Sequence, residues 1–334
     1  MRLRTIAIVA AVLAALFAAL AFAPPLLAPQ RDAAAPADDR TASSAGRQRV
    51  AARHPALDAA DMRVPVLPRA STPQPLQPLP KIRSRLVDIH DELRQRALNG
   101  DVRAACRLAF ELQRCASLPS RRFMLDGTRQ RAADEKDAGM RAGYAKALAF
   151  WGGLVEQAES TCEGFPPQET SSAWKWELAA AQAGYPPSMA RFVSGVNAGA
   201  FGREGARHDG WNAYRDHAAE FLQRAVDAGE PVAFELAMHA HRRGQLHGVP
   251  LVPQDPVRAA AFSIALQRAA SAEYAAYFDL AETARELGAE RYAEAQRLSQ
   301  ALSARLARVP PGSVDFTNGT QGRDDGSHCE RPPD

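Results

Sequence analysis

The four cysteines carry the most definite chemistry in this 334-residue chain. Cys115 takes the place of a helix-ending glycine, and Cys162 comes at the end of another predicted helix, just before Gly164 and Pro166. Two neighbouring helix ends can bring α-carbons within the roughly 5–6 Å that a disulfide requires. We therefore predict a disulfide between Cys115 and Cys162, with Cys106–Cys162 as the competing pairing.

The other two cysteines are expected to play smaller roles. Cys106 cannot pair with Cys115, because nine helical residues separate their α-carbons by about 13 Å. We expect Cys106 to be a small buried residue and Cys329 to lie in a loose C-terminal tail; whether they are free thiols stays open. Because four cysteines are too few to hold a fold by themselves, the chain must form a packed core.

Histidines are the next candidates for chemistry. His239, His241 and His247 are close in sequence and, with His217, could be considered a metal cluster. Residues two apart on a helix point in directions about 160° apart, whereas helical zinc ligands prefer a spacing of four. His241 also falls at a repeat position that normally packs. We therefore predict no metal site.

The sequence contains no familiar catalytic constellation. Gly-x-Ser-x-Gly, His-Glu-x-x-His and glycine-rich phosphate loops are all absent from it. Carboxylate pairs such as Asp134 with Glu135 fall in charged stretches typical of solvated surface. We therefore predict a protein with no catalytic residues and no cofactor.

The N-terminus predicts export. Thr5 to Ala23 is an uncharged run preceded by Arg2 and Arg4, and about 20 apolar residues span a bilayer. The run also resembles a secretory signal, with cleavage after Ala21 as the alternative, but nearby Pro24 favours a retained anchor. Either outcome puts the remainder on the periplasmic side, because the basic end stays in the cytoplasm. Membrane contact is expected only through this segment.

Composition divides the chain into four regions. Eleven prolines between residues 24 and 80 do not suit helices, and little apolar surface accompanies them. The expected regions are a signal peptide or signal anchor over 1–28, a disordered Pro/Ala-rich linker over 29–80, an α-helical domain over 81–309 and a disordered tail over 310–334.

Helical periodicity begins after Lys81, where apolar residues recur every three or four positions. Asp255-Pro256 is typical of a helix start, and Gly229 and Gly244 are typical of helix ends. The predicted helices cover residues 82–98, 101–115, 129–161, 169–183, 186–198, 211–228, 230–243, 255–270, 272–287 and 289–308.

A repeat underlies these helices, with packing positions 4, 8 and 12 residues after each origin. The origins Gly184, Gly229 and Glu273 are 45 and 44 residues apart, and Gly100 opens a further copy. Positions four apart share one helix face, which a single helix pair cannot bury. Stacked pairs can, so the pattern predicts an all-α helical-repeat solenoid. The repeat positions are Ala104, Leu108, Leu112; Ser188, Phe192, Val196; Ala233, Ala237, His241; and Tyr277, Ala281, Arg285.

The clearest copy resembles the Sel1-like repeat family, which is related to the tetratricopeptide repeats. It has Ala233, Gly244, Gly248-Val249, Asp255 and, further on, an alanine and a phenylalanine in the family's order. His241 stands where the family prefers tyrosine, and the turn from residue 242 to 255 is long. The resemblance covers roughly residues 99–288. It implies an α/α solenoid that binds other proteins and transfers no catalytic residues.

Residues between the packing positions are expected to line the concave side of such a solenoid. The predicted partner-binding groove consists of Arg191, Glu235, His239 and Arg242, with Tyr185 at its rim. Two tryptophans two positions apart, Trp174 and Trp176, cannot share one helix face. Both are expected to pack between helices, as most tryptophans in helical repeats do, with partial exposure of one of them as the alternative, since interface residues are often partly exposed.

The expected function is that of a non-catalytic envelope adaptor that binds a protein or peptide. Without residues 1–28, which hold two of the 41 basic residues, 39 basic residues face 38 acidic ones. This balance argues against a nucleic-acid partner. The alternatives are a cell-wall-associated enzyme or peptidoglycan binder that uses the solenoid as a platform, and a structural spacer.

Overall fold

A computed structural model describes residues 64–68, 77–195, 209–310, 312, 314 and 326–332. The N-terminal hydrophobic run and most of the expected linker, together with Val196, lie outside these residues. Among the described residues, no helix combines the length and apolar character needed to cross a membrane. The described residues divide into two units, one with residues 125–150 and one with the remainder.

The described part of the chain is mostly helical, as the periodicity predicted. In chain order its helices are α1 Leu86–Leu98, α2 Val102–Ala116, α3 Leu118–Asp134, α4 Ala138–Cys162, α5 Ala173–Gln182, α6 Pro186–Val193, α7 Asp209–Asp227, α8 Pro231–Arg243, α9 Pro256–Ala269, α10 Ala272–Ala275, α11 Leu280–Leu287 and α12 Ala289–Arg305. Short 3₁₀ turns cover Pro167–Ser172, Leu306–Arg308 and Ser327–Glu330.

Several helix ends have the chemistry expected of them. Asp101 accepts hydrogen bonds from the amides of Arg103 and Ala104 at the start of α2. Asp255 caps α9 through two such bonds, with Pro256 at the first helical position. The turn after α8 is a two-stranded antiparallel hairpin, Gln245–Leu246 with Val249–Pro250.

Two predicted helices are each divided in the structure. The predicted helix 129–161 is two helices separated near Asp137, whose carboxylate accepts from the amide of Met140. The predicted helix 272–287 breaks before Asp279, which caps α11 by accepting from the amide of Glu282. Aspartate side chains compete with the helical backbone in this way, and periodicity does not register that competition.

The second unit is built from helices that pack in sequence. α2 packs on α1 and α5, α5 on α6, α6 on α7, and α8 on α9, which also contacts α12. α5 with α7 and α6 with α8 add contacts between second neighbours. Each helix thus covers the apolar face of its neighbours, as stacked helix pairs require.

Three of the four repeat copies pack at the described positions. Ala104, Leu108 and Leu112 are wholly buried, as are Ser188 and Ala233. The copy that starts at Glu273 was predicted wrongly. Its positions Tyr277, Ala281 and Arg285 are exposed, because the chain breaks after α10 and the buried residue there is Tyr274.

Candidate functional site

The predicted groove is not an open surface. Tyr185 is 1% exposed and Glu235 is 9% exposed, so both were wrongly expected to face solvent. Arg191 is partly covered, with its Nε 2.9 Å from the Glu177 carboxylate. Among the five predicted residues, Arg242 is the exposed one and His239 is intermediate. Position within the repeat did not reveal that other parts of the chain cover this face.

Tyr185 instead holds the C-terminal segment of the chain, residues 326–332. The Tyr185 hydroxyl donates to two carbonyl oxygens, that of His328 at 3.2 Å and that of Arg331 at 3.0 Å. Burial raises the pKa of Tyr185, which keeps the hydroxyl protonated as a donor. A buried side chain thus binds the backbone of a short tail segment.

A disulfide fixes this tail to α2. Cys106 is bonded to Cys329, and the two α-carbons are 5.6 Å apart. The prediction that Cys329 lies in a loose tail is therefore wrong, whereas Cys106 is buried as expected. The tail as a whole was expected to be disordered, yet residues 326–332 are held by this bond, and Val314 forms a bridge with Ala270. The second disulfide joins Cys115 and Cys162, the predicted pairing.

The tail packs against an aromatic ring on α2. The ring of His328 meets Phe110 edge to face, with centroids 5.4 Å apart. Gly326 has φ +83°, and a Cβ at this position would come within 3.0 Å of the Phe110 ring. Only glycine fits there without displacement, because both the backbone angle and the contact exclude a side chain.

Charged side chains surround the same place. Arg331 forms two contacts with Glu230, which is 2% exposed and sits at the start of α8, at 2.8 and 3.1 Å. Glu330 lies 4.0 Å from the guanidinium of Arg107. One acidic and one basic tail residue, adjacent in sequence, therefore face side chains of opposite charge.

Beneath the tail lies a row of buried charges on α2. Arg107 Nε donates to Glu111 at 2.7 Å, and Arg114 contacts the other carboxylate oxygen at 2.9 Å. Arg114 and Arg191 lie over the Phe110 ring, 4.6 and 4.7 Å from its centroid. Burial raises the pKa of Glu177 to about 7, against the opposing effect of Arg191. The sequence did not reveal this row, because charges on an amphipathic helix usually indicate its solvent face.

The N-terminal extension approaches the same helices. The guanidiniums of Arg96 and Arg103 donate to the carbonyl oxygen of Gln77, and Arg96 also donates to that of Pro78. Leu79 packs against the cluster of Cys106, Phe110, Tyr185 and Cys329. The end of the expected linker, residues 77–80, is therefore bound through its backbone. The N-terminal extension and the C-terminal segment thus meet near α2.

Glu235, His239 and Arg242 belong to a different surface, on α8. The hydroxyl of Tyr274 donates to the Glu235 carboxylate at 3.3 Å, and burial raises the pKa of Glu235 to about 7. Burial, with Arg242 and Arg243 nearby, lowers the pKa of His239 to about 4. The structure therefore separates Tyr185 and Arg191, which lie beside the tail, from these three residues.

The tryptophans lie on opposite faces of α5, and both are buried. Trp174 is 7% exposed in the cluster shared with α6–α9, and Trp176 is 8% exposed in the cluster shared with α1 and α2. Both therefore pack between helices as expected, and the alternative, partial exposure of one, is wrong because α5 lies between two cores.

Potential metal ligands are few in the described residues. The histidines considered above serve other contacts: His241 stacks on Phe262, and His247 contacts the carbonyl of Ser194. Within the residues placed by the structure, one group of three ligand atoms lies within 4.8 Å, that of Cys106, His328 and Cys329. Two of these atoms are the bonded sulfurs, so the group does not form a ligand set in this state.

The chain matches no family model, no curated protein and no solved structure to which it was compared.

Proposed function

We propose that this protein is a non-catalytic adaptor that binds a peptide or protein segment in an oxidising envelope compartment. The observation that carries the proposal is the binding of residues 326–332 by Tyr185, Glu230 and Cys106. This segment contains the 3₁₀ turn Ser327–Glu330 and is held through backbone carbonyls and two charged side chains, a combination of main-chain and side-chain contacts that can recognise a peptide. A surface that binds a segment of its own chain in this way can bind a segment of another protein that offers similar carbonyl groups and charges.

The disulfides and the helix packing also support this proposal. Two disulfides favour an oxidising compartment, which agrees with the expected N-terminal signal or anchor. The contacts between successive helices in the second unit support the proposal of a Sel1-like or tetratricopeptide-like solenoid. Such solenoids present a long inner face to other proteins.

Reciprocal capture tests the adaptor function. The full-length chain, cross-linked in intact cells and purified from the envelope, should recover one protein in near-stoichiometric amount. Purification of that protein should in turn recover this chain. Cross-linked cells that lack the chain provide the control, and sedimentation with purified peptidoglycan measures the rival binding mode. Retention on peptidoglycan without a reciprocal protein partner would contradict the adaptor.

A further inference from the structure

The C-terminal segment leaves one buried group incompletely satisfied. Arg107 is wholly buried, yet both of its terminal nitrogens have no hydrogen-bond partner among the described residues. The nearest tail carboxylate, Glu330, is 4.0 Å away, beyond hydrogen-bond distance. Although Arg107 Nε is hydrogen-bonded to Glu111, two buried terminal nitrogens without hydrogen-bond partners are costly, and a carboxylate that approached them more closely would reduce that cost.

The contacts of the tail define what such a ligand must offer. Tyr185 requires main-chain carbonyls, Glu230 requires a cation, and Arg107 requires a carboxylate. In the tail the two charged residues are neighbours, Glu330 and Arg331, and a glycine at position 326 allows close approach to Phe110. The site therefore favours a short segment that can form a 3₁₀ turn and that carries adjacent acidic and basic residues.

We propose that the surface beneath residues 326–332 is a peptide-binding site that the chain's own tail occupies and that opening of the Cys106–Cys329 disulfide makes available. Its external ligand is a turn-forming segment of a partner protein that carries an acidic residue followed by a basic one. This inference rests on the proposed adaptor function and names the partner's chemistry.

The opening step requires a dithiol reductant. A thiolate of the dithiol attacks one sulfur of the pair, which breaks the S–S bond and forms a mixed disulfide. The dithiol's second thiol then attacks the dithiol sulfur of the mixed disulfide and displaces the cysteine still bonded to it. This leaves two protein thiols and an oxidised dithiol. A His328 nitrogen lies within 4.8 Å of both sulfurs and can return a proton to the departing thiolate. Two electrons and two protons pass from the dithiol to the protein.

A binding measurement with a defined probe tests the site. The probe is a fluorescent peptide, Asp-Gly-Ser-His-Ser-Glu-Arg-Pro, which copies residues 325–332 with serine in place of cysteine. The receptor is the full chain with Cys106→Ser, Cys329→Ser and Gly326→Val, so that its own tail cannot return. We expect this variant to bind the probe at least tenfold more tightly than the oxidised wild-type chain.

Two controls distinguish specific recognition of the peptide from non-specific binding. A peptide with the glutamate and arginine exchanged should bind at least tenfold more weakly. Adding Glu230→Gln to the receptor should weaken the original peptide but leave a peptide with Arg→Gln nearly unchanged. Equal binding of both peptides, or equal binding by wild-type and open chains, would overturn the proposal. Dimers that exchange tails without binding the peptide would also overturn it.

Circular dichroism establishes that the receptor is folded. If the triple variant is unfolded, the full chain with Cys329→Ser and the two tail charges exchanged (Glu330→Arg, Arg331→Glu) replaces it, because it leaves the glycine intact. We expect this variant also to bind the probe at least tenfold more tightly than the oxidised wild-type chain. A partner recovered by reciprocal capture that binds wild-type and open chains equally would refute this site while leaving the adaptor function standing.

Discussion

The carboxyl group of Glu235 is held in a setting that favours its neutral form. It is buried on α8 with the Tyr274 hydroxyl as its hydrogen-bond donor, and burial raises its pKa to about 7. His239, one turn along the same helix, is shifted in the opposite sense, to about 4. Both residues therefore couple folding to pH, although neither touches the tail.

Glu235→Gln is expected to stabilise the protein at neutral pH. The folded pKa exceeds the unfolded value of 4.5, so the native state retains a proton that the unfolded chain releases. Stability of the wild-type chain therefore falls as pH rises from about 4.5 to about 7 and then levels off. The variant lacks this loss, which amounts to about 3 kcal/mol at most. Urea unfolding at pH 5 and pH 8 measures the difference, and an equal gain at both pH values would contradict the assignment.

Gly229→Ala should destabilise the chain through a contact as well as through backbone strain. Gly229 has φ +75°, and an added Cβ would collide with the carbonyl oxygen of Arg305. Gly248 has φ +79° with nothing near its added Cβ, so Gly248→Ala isolates the strain. We expect the first variant to cost about 1–3 kcal/mol more than the second. Thermal unfolding of both variants gives the comparison. Equal losses of stability would contradict the close contact between position 229 and the Arg305 carbonyl in α12.

At the scale of elements, the helices and their apolar faces were largely predictable. Ala104, Leu108 and Ala233 repeat at fixed offsets and are buried as expected. The breaks at Asp137 and Asp279 were not predictable from periodicity, because they depend on side-chain caps. The placement of Trp174 and Trp176 in separate cores could not be foreseen either, since it depends on which helices lie on either side of α5.

The short helix α10 provides a matched test of register. Tyr274 is buried and hydrogen-bonded to Glu235, whereas Tyr277, at the position that the repeat predicted to pack, is 57% exposed. Tyr274→Ala should cost about 3–5 kcal/mol, and Tyr277→Ala within about 0.5 kcal/mol. Chemical denaturation of both variants measures this. Comparable losses of stability in the two variants would contradict this register and favour the one that the repeat predicted.

At the scale of the whole chain, two disulfides close rings of very different size. Cys115 and Cys162 are 47 residues apart, and Cys106 and Cys329 are 223 apart. The first pair could be predicted because both residues stand at helix ends in neighbouring segments. The second could not, because nothing in the sequence near residue 329 indicates which helix it reaches. For the same reason the burial of Tyr185, the predicted rim residue, beneath the tail could not be foreseen.

Each pair should be recovered by peptide mapping without reduction, and each should contribute to stability. Replacing Cys115 and Cys162 by serine should cost about 4 kcal/mol, and replacing Cys106 and Cys329 about 5 kcal/mol, by the loop-entropy relation. Guanidinium unfolding under oxidising conditions measures both losses. A Cys106–Cys162 peptide in the map would contradict the arrangement.

The larger ring also determines how the protein would respond to mechanical force. Tension applied between the two chain ends passes directly through the Cys106–Cys329 bond, so the 223-residue interval between the two cysteines lies outside the load path. The helices in that interval would stay folded while the flanking segments stretch. Breaking this one bond would release roughly 600 Å of extended chain, because the 47-residue ring closed by Cys115 and Cys162 lies within the interval and stays closed. A protein tethered at its N-terminus and attached to a partner at its C-terminus would thus be short and stiff when oxidised, and highly extensible when reduced.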